Sequence, residues 1–328
     1  MLGPTSIVSG PDSALSALGI LRGIQRPVAR AVPPSISVIM PNFNNSKFIG
    51  PAIASVLSQT LSDFELLVID DASTDGSNAI VQEISKKDPR VTLLRQPTHV
   101  GVSRCRNVGI RSSSGGLVGF LDSDDLYAPN ALQVMHDTLA RSPTPAVVYS
   151  DCWYLDGEGR RLGPLGLKSC TSSGWILGEF LLYGLATEAN LLLSRGIFDD
   201  VGLYDETLTW GEDADLDLRL ARKYRFIFVD QQLYGYRFHP ENATSKLTIY
   251  EKRAIKTPIL EKHFKANIRM LDYDTRRKVN RKLVDQYFDG RLYRRALSLA
   301  HSDPGLFLHF ARVVLRRSLR KVYYRFTK

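Results

Sequence analysis

Three apolar segments of strand length each end directly in a cluster of polar or acidic residues, and this arrangement constrains the fold more than any other feature of the chain. The segments are Ile36 to Met40, Phe64 to Ile69 and Leu117 to Leu121, and the clusters that follow span 41–45, 70–75 and 122–125. Continuous apolar runs predict strands that are buried on both faces by helices. Since parallel strands point the same way, we expect the three clusters at one edge of the sheet.

Segments of helical length separate these strands. Ser46 is expected to cap the first helix, which has Pro51 in its first turn. Further helices are expected at about 76–86, 104–113 and 213–222, and further strands at 91–94, 146–149 and 225–229. This alternation predicts an α/β fold with a mostly parallel, helix-covered sheet. The segment from 155 to 187 reads as irregular, and the chain beyond Ile249 as mostly helical.

Composition places the chain among globular proteins. It has 328 residues, of which 44% are hydrophobic and 23% charged. No segment approaches the roughly 18 uninterrupted apolar residues of a membrane-spanning helix. The first 34 residues predict a poorly structured extension without the basic start of a secretory signal. The three cysteines, Cys105, Cys152 and Cys170, lack metal-ligand spacing and cannot all pair, which favours a reduced, cytoplasmic protein.

Positive charge is concentrated at the C-terminus. Residues 276–328 contain fifteen Lys and Arg against three Asp, so the rest of the chain is net acidic although the whole carries +9. Residues 305–328 hold seven of these basic residues and no acid, with apolar residues at helical spacing opposite Arg312, Arg316 and Arg320. Such a basic amphipathic helix suits an anionic membrane surface. The alternative is a helix that packs on the rest of the protein and keeps its basic face in solvent.

The cluster Asp122-Ser123-Asp124-Asp125 follows an apolar strand. Carboxylates two residues apart can direct oxygens towards one Mg²⁺ or Mn²⁺ ion, which favours oxygen ligands together with phosphate. A metal bridging a diphosphate stabilises the charge that develops when the diphosphate leaves. The alternative is a solvated acidic turn, which is the usual explanation for an isolated Asp-x-Asp.

Three further clusters carry possible chemistry. In 70–77, a carboxylate at a strand end can accept from a base N–H or a ribose hydroxyl, while Asp75 or Ser73 can cap the next helix. In 210–215, a carboxylate at a helix start can act as a general base or simply complement the helix dipole. In 236–240, Arg237 can pair with phosphate and His239 can ligate a metal, although a lone histidine is usually structural.

Taken together in this order, the clusters resemble glycosyltransferase family 2, whose members are inverting enzymes of GT-A fold. The resemblance covers roughly residues 35–245, and its carriers are 37–44, 68–77, Gly101 with Arg106-Asn107, 120–125, 211–213 and 236–239. It implies a metal-dependent enzyme that transfers one sugar, of hexosyl or N-acetylhexosaminyl class, from a nucleotide-sugar to an acceptor hydroxyl. Asn42 and Ala72 depart from the family pattern, and the Gln-x-x-Arg-Trp motif of processive synthases is absent.

The resemblance also implies site residues. Asp213 is expected as the catalytic base with Glu212 in support, and Asp124 as the direct metal ligand together with Asp122 and His239. The remaining expected positions contact the nucleotide-sugar: Pro41, Phe43, Asn44, Asp70, Asp71, Arg106, Asp122 and Ser123. Phe43 is expected against the base, which Asp71 reads. The implied cofactor is Mn²⁺ or Mg²⁺.

The expected organisation is an N-terminal extension (1–34), a catalytic domain (35–248) and a basic helical region (249–328). Within the catalytic domain, 35–125 is the nucleotide-binding half and 126–248 the acceptor half.

The expected partners are a nucleotide-sugar, preferably a UDP-sugar, and a carbohydrate or lipid-linked acceptor. The expected process is cell-surface polysaccharide, lipopolysaccharide or glycolipid assembly at the inner face of the membrane. Nucleic acid is not expected. A sugar-phosphate nucleotidyltransferase lacks support because 41–44 is not a Gly-rich loop, and a non-catalytic nucleotide- or nucleic-acid-binding protein does not explain the acidic clusters.

Overall fold

The computed structural model describes residues 32–163, 170–184, 190–301 and 303–326. The strands are β1 (Ile36–Asn42), β2 (Phe64–Asp70), β3 (Val91–Arg95), β4 (Leu117–Phe120), β5 (Leu126–Tyr127), β6 (Ala146–Leu155), β7 (Leu191–Ser194) and β8 (Arg225–Arg237). The helices are α1 (Ile49–Leu57), α2 (Ser77–Lys87), α3 (Val102–Ser112), α4 (Ala131–Ala140), α5 (Leu177–Leu182), α6 (Ile197–Val201), α7 (Glu212–Lys223), α8 (Ile249–Asn267), α9 (Tyr273–Asp289), α10 (Tyr293–Ala300) and α11 (Pro304–Phe326).

The described strands form one sheet in the order β3-β2-β1-β4-β7-β6-β8-β5. Neighbours pair in parallel in β3-β2-β1-β4 and in β6-β8, whereas β7 and β5 pair antiparallel to their neighbours. The predicted mostly parallel sheet is therefore confirmed. Every residue of β2 is buried, which explains its unbroken apolar sequence.

Helix α3 lies unusually close to the centre of the sheet. A Cβ added at Gly109 would stand 2.4 Å from Cγ2 of Ile39 on β1, and one added at Gly115 would stand 2.7 Å from the backbone N of Ser37. Glycine at these two positions permits the close approach because it has no side chain. The packing holds α3, and with it Arg106, directly behind the carboxyl ends of β1 and β4.

The polar clusters meet at one edge of the sheet, as predicted. Strands β1 and β2 end at the paired residues Asn42 and Asp70, and β4 ends at Phe120, immediately before Asp122. Strand β8 points the same way and ends at Arg237, so that residues 238–242 reach the same edge from the other half of the sheet. The fold thereby brings together segments that are more than a hundred residues apart.

Several predicted boundaries need correction. Ser46 does not cap α1, because the helix begins at Ile49 and its N-cap residue is Phe48, which makes no side-chain cap. The Ser46 N–H donates to Asp75. Strands β6 and β8 are much longer than predicted; they stay paired through a register shift near Asp151, although their second halves contain polar residues. The segment 155–187 contains the short helix α5 in its described part. Residues 1–31 of the expected N-terminal extension lie outside the described residues.

The described region after Ile249 is helical, as predicted, and is attached to the sheet domain through buried charge. Helix α8 starts with a capping box between Thr248 and Glu251. Asp215 on α7 is buried and accepts from His263 Nε2 of α8 at 2.7 Å and from Arg219 Nε at 2.8 Å. Burial by itself raises the pKa of Asp215, but these hydrogen bonds and charges together hold it well below its usual value.

Within the described residues, none of the helices has the length and apolar content needed to cross a bilayer. The three cysteines are buried and form no disulfide with one another.

Candidate active site

A cleft of about 430 Å³ opens at the carboxyl edge of the sheet. Nine of the predicted site residues line it: Pro41, Phe43, Asp71, Arg106, Asp122, Ser123, Asp124, Glu212 and Asp213. They come from the carboxyl ends of β1, β2 and β4, from α3 and from the start of α7, so the cleft exists only in the folded chain. Asn44, Asp70 and His239, which were also predicted, lie behind its surface rather than on it.

Arg106 is the electrostatic centre of the cleft. Its side chain is buried, and its guanidinium donates to Asp122 Oδ1 at 2.9 Å, to Glu212 Oε1 at 3.1 Å and to Asp213 Oδ1. Burial disfavours its charge, yet these carboxylates hold the pKa of Arg106 well above its ordinary value. Arg106, expected beside the donor, therefore joins the Asp-x-Asp loop to the start of α7.

The start of α7 presents the two acids that were predicted for catalysis. Gly211 precedes the helix in the left-handed conformation (φ 83°), which turns Glu212 and Asp213 towards Arg106 in the first helical turn. Glu212 is buried, while the side chain of Asp213 retains 18% exposure. Asp213 is thus the member of this pair that reaches the open cleft.

Asp124 is held on the opposite side by residues that follow β8. Its Oδ2 lies 2.9 Å from His239 Nε2 and accepts from Asn242 Nδ2 at 3.1 Å. The imidazole of His239 stacks on Phe48, with 4.4 Å between the ring centroids. These contacts fix the Asp124 carboxylate at the mouth of the cleft.

Asp125 anchors the Asp-x-Asp loop from below and is not one of the candidate metal ligands. It is buried and accepts from the Tyr234 hydroxyl at 2.7 Å and from the Arg237 N–H at 2.8 Å. Burial and the nearby charges of Asp124 and Asp122 raise the pKa of Asp125 well above its usual range. Arg237, expected to pair with phosphate, is instead buried and donates to the backbone carbonyl of Asp124 at 2.7 Å.

The residues at Asp124 fit a divalent cation in part. Asp124 Oδ2 and His239 Nε2 lie 2.9 Å apart, at hydrogen-bond distance, and carboxylate oxygen and imidazole nitrogen are both atoms that a divalent cation accepts as ligands. Asp122, predicted as a further ligand, is bonded to Arg106 instead. No three His, Cys, Asp or Glu side chains of the described chain converge on one point. Two protein ligands leave most of the shell to phosphate oxygens and water, as Mg²⁺ commonly requires.

Asp71 organises the loop that follows β3. Its two carboxylate oxygens accept from the backbone N–H groups of Val100 at 2.6 Å and Gly101 at 2.9 Å, and His99 Nδ1 lies 2.9 Å away. These bonds place the His99 ring against Phe43, with 4.2 Å between the centroids. Phe43 is 43% exposed, so the pair forms an aromatic wall at one end of the cleft.

Asp70 and Asn44 position the neighbouring loop rather than lining the cleft. Asp70 is fully buried and accepts from Asn42 Nδ2 at 2.9 Å and from the Ser73 N–H at 3.2 Å. Asn44, at φ 53°, accepts from the Thr74 N–H at 2.8 Å. The N-cap residue of α2 is Gly76, without a side-chain cap, rather than Asp75 or Ser73 as predicted; Asp75 does accept from the Ser77 N–H at 3.0 Å. Of the two departures from the family pattern, Asn42 bonds to Asp70, whereas Ala72 takes the left-handed conformation at φ 60°, which favours glycine.

Four residues of the cleft or its walls were missed in the sequence: His99, Asn242, Lys246 and Lys256. His99 and Asn242 lie in short loops after strands, a position that could have marked them as candidates. Lys246, at the end of the short 3-10 turn 243–246, and Lys256 on α8 also line the cleft, and their approach to the active edge depends on long-range packing.

The chain is similar in sequence to known glycosyltransferases. Residues 37–177 match the family model described as Glycosyl transferase family 2. The chain is 28% identical over 237 residues to chondroitin synthase of Escherichia coli, covering 71% of this chain and 32% of that protein. It is 29% identical over 220 residues to an uncharacterized glycosyltransferase, EpsJ, of Bacillus subtilis, covering 64% and 63%. The chain thus spans between about a third and two thirds of these relatives.

Comparison of structures gives the same fold. The S. aureus TarS fragment 1–349 in complex with UDP matches with a TM-score of 0.56 and 20% identity, over 90% of this chain and 92% of that one. The mannosyltransferase PcManGT from Pyrobaculum calidifontis, in complex with GDP-Man and Mn²⁺, matches with a TM-score of 0.57 and 18% identity, over 95% and 90%. The likeness confirms the predicted GT-A fold.

Proposed function

We propose, because this chain belongs to glycosyltransferase family 2, that it is a glycosyltransferase that moves one sugar from a nucleotide-sugar to an acceptor hydroxyl with inversion at the anomeric carbon. One observation carries the proposal. Asp122 of the Asp-x-Asp loop and Asp213 at the start of α7 meet in the same cleft as Asp124, and Arg106 bridges the first two. A solvated acidic turn does not explain a buried guanidinium that joins two acidic segments.

The donor is assigned to the nucleotide-binding half, residues 35–125. Its base lies against the aromatic wall of Phe43 and His99, beside Asp71, and the backbone of Pro41 and Ser123 lines the path to the diphosphate. The diphosphate points towards Asp124. The acceptor then enters from residues 126–248, which form the other side of the cleft and include the half-buried Trp210.

A divalent cation, Mn²⁺ or Mg²⁺, would be held by Asp124 with His239, and it would stabilise the negative charge of the departing nucleoside diphosphate. Manganese accompanies GDP-Man in PcManGT, which supports a metal of this kind. Asn242 and Phe48 keep both candidate ligands oriented, since second contacts of this kind tune a metal site.

Asp213 is the proposed general base. Its carboxylate is partly exposed at the cleft and removes the proton of the acceptor hydroxyl as the oxygen attacks the anomeric carbon. The new C–O bond forms on the face opposite the leaving nucleotide, the bond from carbon to the diphosphate oxygen breaks, and the proton stays on Asp213. The transition state resembles an oxocarbenium ion, as in glycoside chemistry. Arg106 and Glu212 hold the base in place.

A UDP-sugar is the favoured donor, because TarS is described with UDP and with UDP-GlcNAc, while PcManGT, described with GDP-Man, keeps GDP-sugars as the alternative. The transferred sugar is a hexose or an N-acetylhexosamine. The acceptor is a carbohydrate or a lipid-linked glycan of cell-surface polysaccharide, lipopolysaccharide or glycolipid assembly.

Nucleotide release tests the function directly. UDP-, GDP- and dTDP-sugars are incubated with the chain, with and without Mn²⁺, and the freed nucleoside diphosphate is measured. We expect metal-dependent release from one nucleotide class. Formation of a nucleotide-sugar from a sugar phosphate and a nucleoside triphosphate would support a nucleotidyltransferase instead, and binding without any release would support a non-catalytic protein.

Helix α11 supports contact with an anionic membrane at the cytoplasmic face. Leu308 and Leu315 are 58% and 60% exposed although they are apolar, and Arg312 and Arg316 on the same helix are exposed as well. An exposed apolar face beside basic residues is typical of a helix that lies in a membrane interface. Deletion of 305–328 should abolish flotation with phosphatidylglycerol vesicles. Flotation that survives the deletion excludes this contact.

A further inference from the structure

A second cavity, of about 630 Å³, lies between helices α8, α9 and α11. Its charged lining consists of Arg253, Lys278, Arg281 and Lys282 with Asp285 and Asp289. The basic character that the sequence places at the C-terminus is therefore in part folded into a concave surface, which is the form a ligand site takes.

The two carboxylates of this cavity already have side-chain partners. Asp289 pairs with Arg253, and Asp285 Oδ1 lies 2.9 Å from Nε2 of His309 on α11. Within the described part of the chain, no carboxylate oxygen approaches within 4 Å of Lys278, Arg281 or Lys282. Three basic side chains thus line the cavity without forming an ion pair to either of its carboxylates.

Lys282 is the most constrained of the three. Its side chain is half-buried, and Nζ donates to the backbone carbonyl of Leu181 on α5 at 2.8 Å, which fixes its position. Burial and the nearby charge of Lys256 lower its pKa to about 8. A cation held in place and partly desolvated without a counter-charge is stabilised when an anion arrives.

The cavity is connected to the donor cleft through α8. Lys256 lines the cleft, and Arg253, one turn earlier on the same face of the helix, lines the cavity. The charge of Lys256 also acts on Lys282, so the two sites are electrostatic neighbours. The described residues that line the cavity include no Phe, Tyr or Trp, on which nucleobases commonly stack, and their one ring is the imidazole of His309.

We propose that the cavity formed by Arg253, Lys278, Arg281 and Lys282 binds a phosphate group carried by the acceptor, and so holds the acceptor beside the donor cleft. Guanidinium and ammonium groups in a concave site recognise phosphate through charge-assisted hydrogen bonds. The assignment to the acceptor rests on the proposed glycosyltransferase function, whereas the phosphate site itself does not.

Calorimetric titration of the full chain with inorganic phosphate, and separately with inorganic pyrophosphate, tests the site without donor or acceptor. Arg281→Gln removes one unpaired cation, and we expect binding to weaken at least about tenfold, since a charged hydrogen bond is lost. Arg277→Gln is the matched control, because Arg277 is exposed on the same helix and outside the cavity lining. Lys246→Gln reports on binding in the donor cleft instead.

A second arm separates the sources of the phosphate. Phosphatidylcholine vesicles with and without phosphatidylglycerol are floated with the same variants. If Arg281→Gln loses binding and Arg277→Gln does not, the result supports phosphate binding in the cavity. A loss in calorimetry identifies a free phosphate, and a loss in flotation identifies a lipid headgroup. Equal losses in both variants, loss only in Lys246→Gln, or no binding in either arm would overturn the proposal. Because neither arm requires sugar transfer, an inactive enzyme leaves the result intact.

Discussion

The donor cleft and the C-terminal cavity meet at helix α8 but carry charge of opposite sign. In the cleft, carboxylates from the Asp-x-Asp loop and from the start of α7 surround the buried guanidinium of Arg106. In the cavity, Lys278, Arg281 and Lys282 stand beside two carboxylates that are already paired. The same protein thus contains an acid-rich recess and a base-rich recess that share the helix carrying Lys256 and Arg253.

This difference has a physical meaning. Burying uncompensated charge is costly, so a recess with excess charge of one sign favours a ligand of the other sign. The acid-rich cleft suits a cation with its diphosphate and a proton acceptor, whereas the base-rich cavity suits an anion alone. Removing a carboxylate should therefore have opposite consequences at the two sites, and the following predictions test this contrast.

The largest effect is expected at the proposed base. Asp213→Asn keeps the shape and hydrogen-bonding capacity of the side chain but cannot take up a proton, so the turnover number for transfer should fall about 10² to 10⁴-fold. Donor affinity, measured by calorimetry, should change little. Asp199→Asn is the matched control, because Asp199 also lies in the first turn of a helix. Full activity of Asp213→Asn would leave only the helix-dipole explanation for this acid.

The next largest effect is expected at the buried contact between α7 of the sheet domain and α8 of the C-terminal helical region. Asp215→Asn removes the buried charge that pairs with His263 and Arg219, and the free energy of unfolding should fall by about 3 to 5 kcal/mol at neutral pH. The measurement is denaturant unfolding, with Asp230→Asn, an exposed strand position, as the control. An equal loss of unfolding free energy in both variants would show that Asp215 contributes no more to stability than an exposed aspartate does.

The same variant has a pH signature. The pKa of Asp215 is lowered in the folded chain, so its stabilising contribution is complete above the unfolded pKa of about 3.9 and is lost as pH falls through the folded pKa. The difference in unfolding free energy between wild type and Asp215→Asn should be constant from about pH 5 to 8 and shrink below about pH 4. A difference that grows on acidification would contradict this assignment.

Removing a carboxylate from the acid-rich cleft should weaken the binding of the cation and of the donor. Asp124→Asn takes one negative oxygen from the proposed cation site, and metal-dependent donor binding should weaken about 10 to 100-fold. Titration of Mn²⁺ at fixed UDP-sugar, with Asp199→Asn again as the control, measures this. An unchanged midpoint would remove Asp124 from the ligand set.

Removing a carboxylate from the base-rich cavity should do the reverse, with the smallest effect. Asp285 is about half-exposed and repels an incoming anion, so Asp285→Asn should tighten phosphate binding by up to about fivefold. Asp274→Asn, in the exposed first turn of the same helix, should leave the affinity within error. Weaker binding in Asp285→Asn would mean that Asp285 positions the site through His309.

Much of the fold and part of the site could be predicted from local patterns. The run from Phe64 to Ile69 predicted a buried strand because a strand covered on both faces needs apolar residues throughout, and β2 has this form. The second halves of β6 and β8 were missed because polar residues such as Asp151 and Gln232 interrupt the apolar pattern near the register shift, although Leu233 and Tyr234 beyond it are buried. The cap at Ser46 was wrong because the helix begins only at Ile49, which makes Phe48 the N-cap residue.

By itself, the sequence determined that acidic loops follow apolar strands that alternate with helices, and that these loops therefore gather at one edge of a parallel sheet. Hydrophobic periodicity and the succession of strands and helices along the chain are properties of neighbouring residues. Only the tertiary structure decided which charges meet there. Arg106 pairs with Glu212 across 106 positions of sequence, and Asp124 faces His239 across 115. These partnerships depend on the close packing of α3 on β1 and on the direction of β8, and a Coulomb interaction depends on distance in space rather than on distance along the chain.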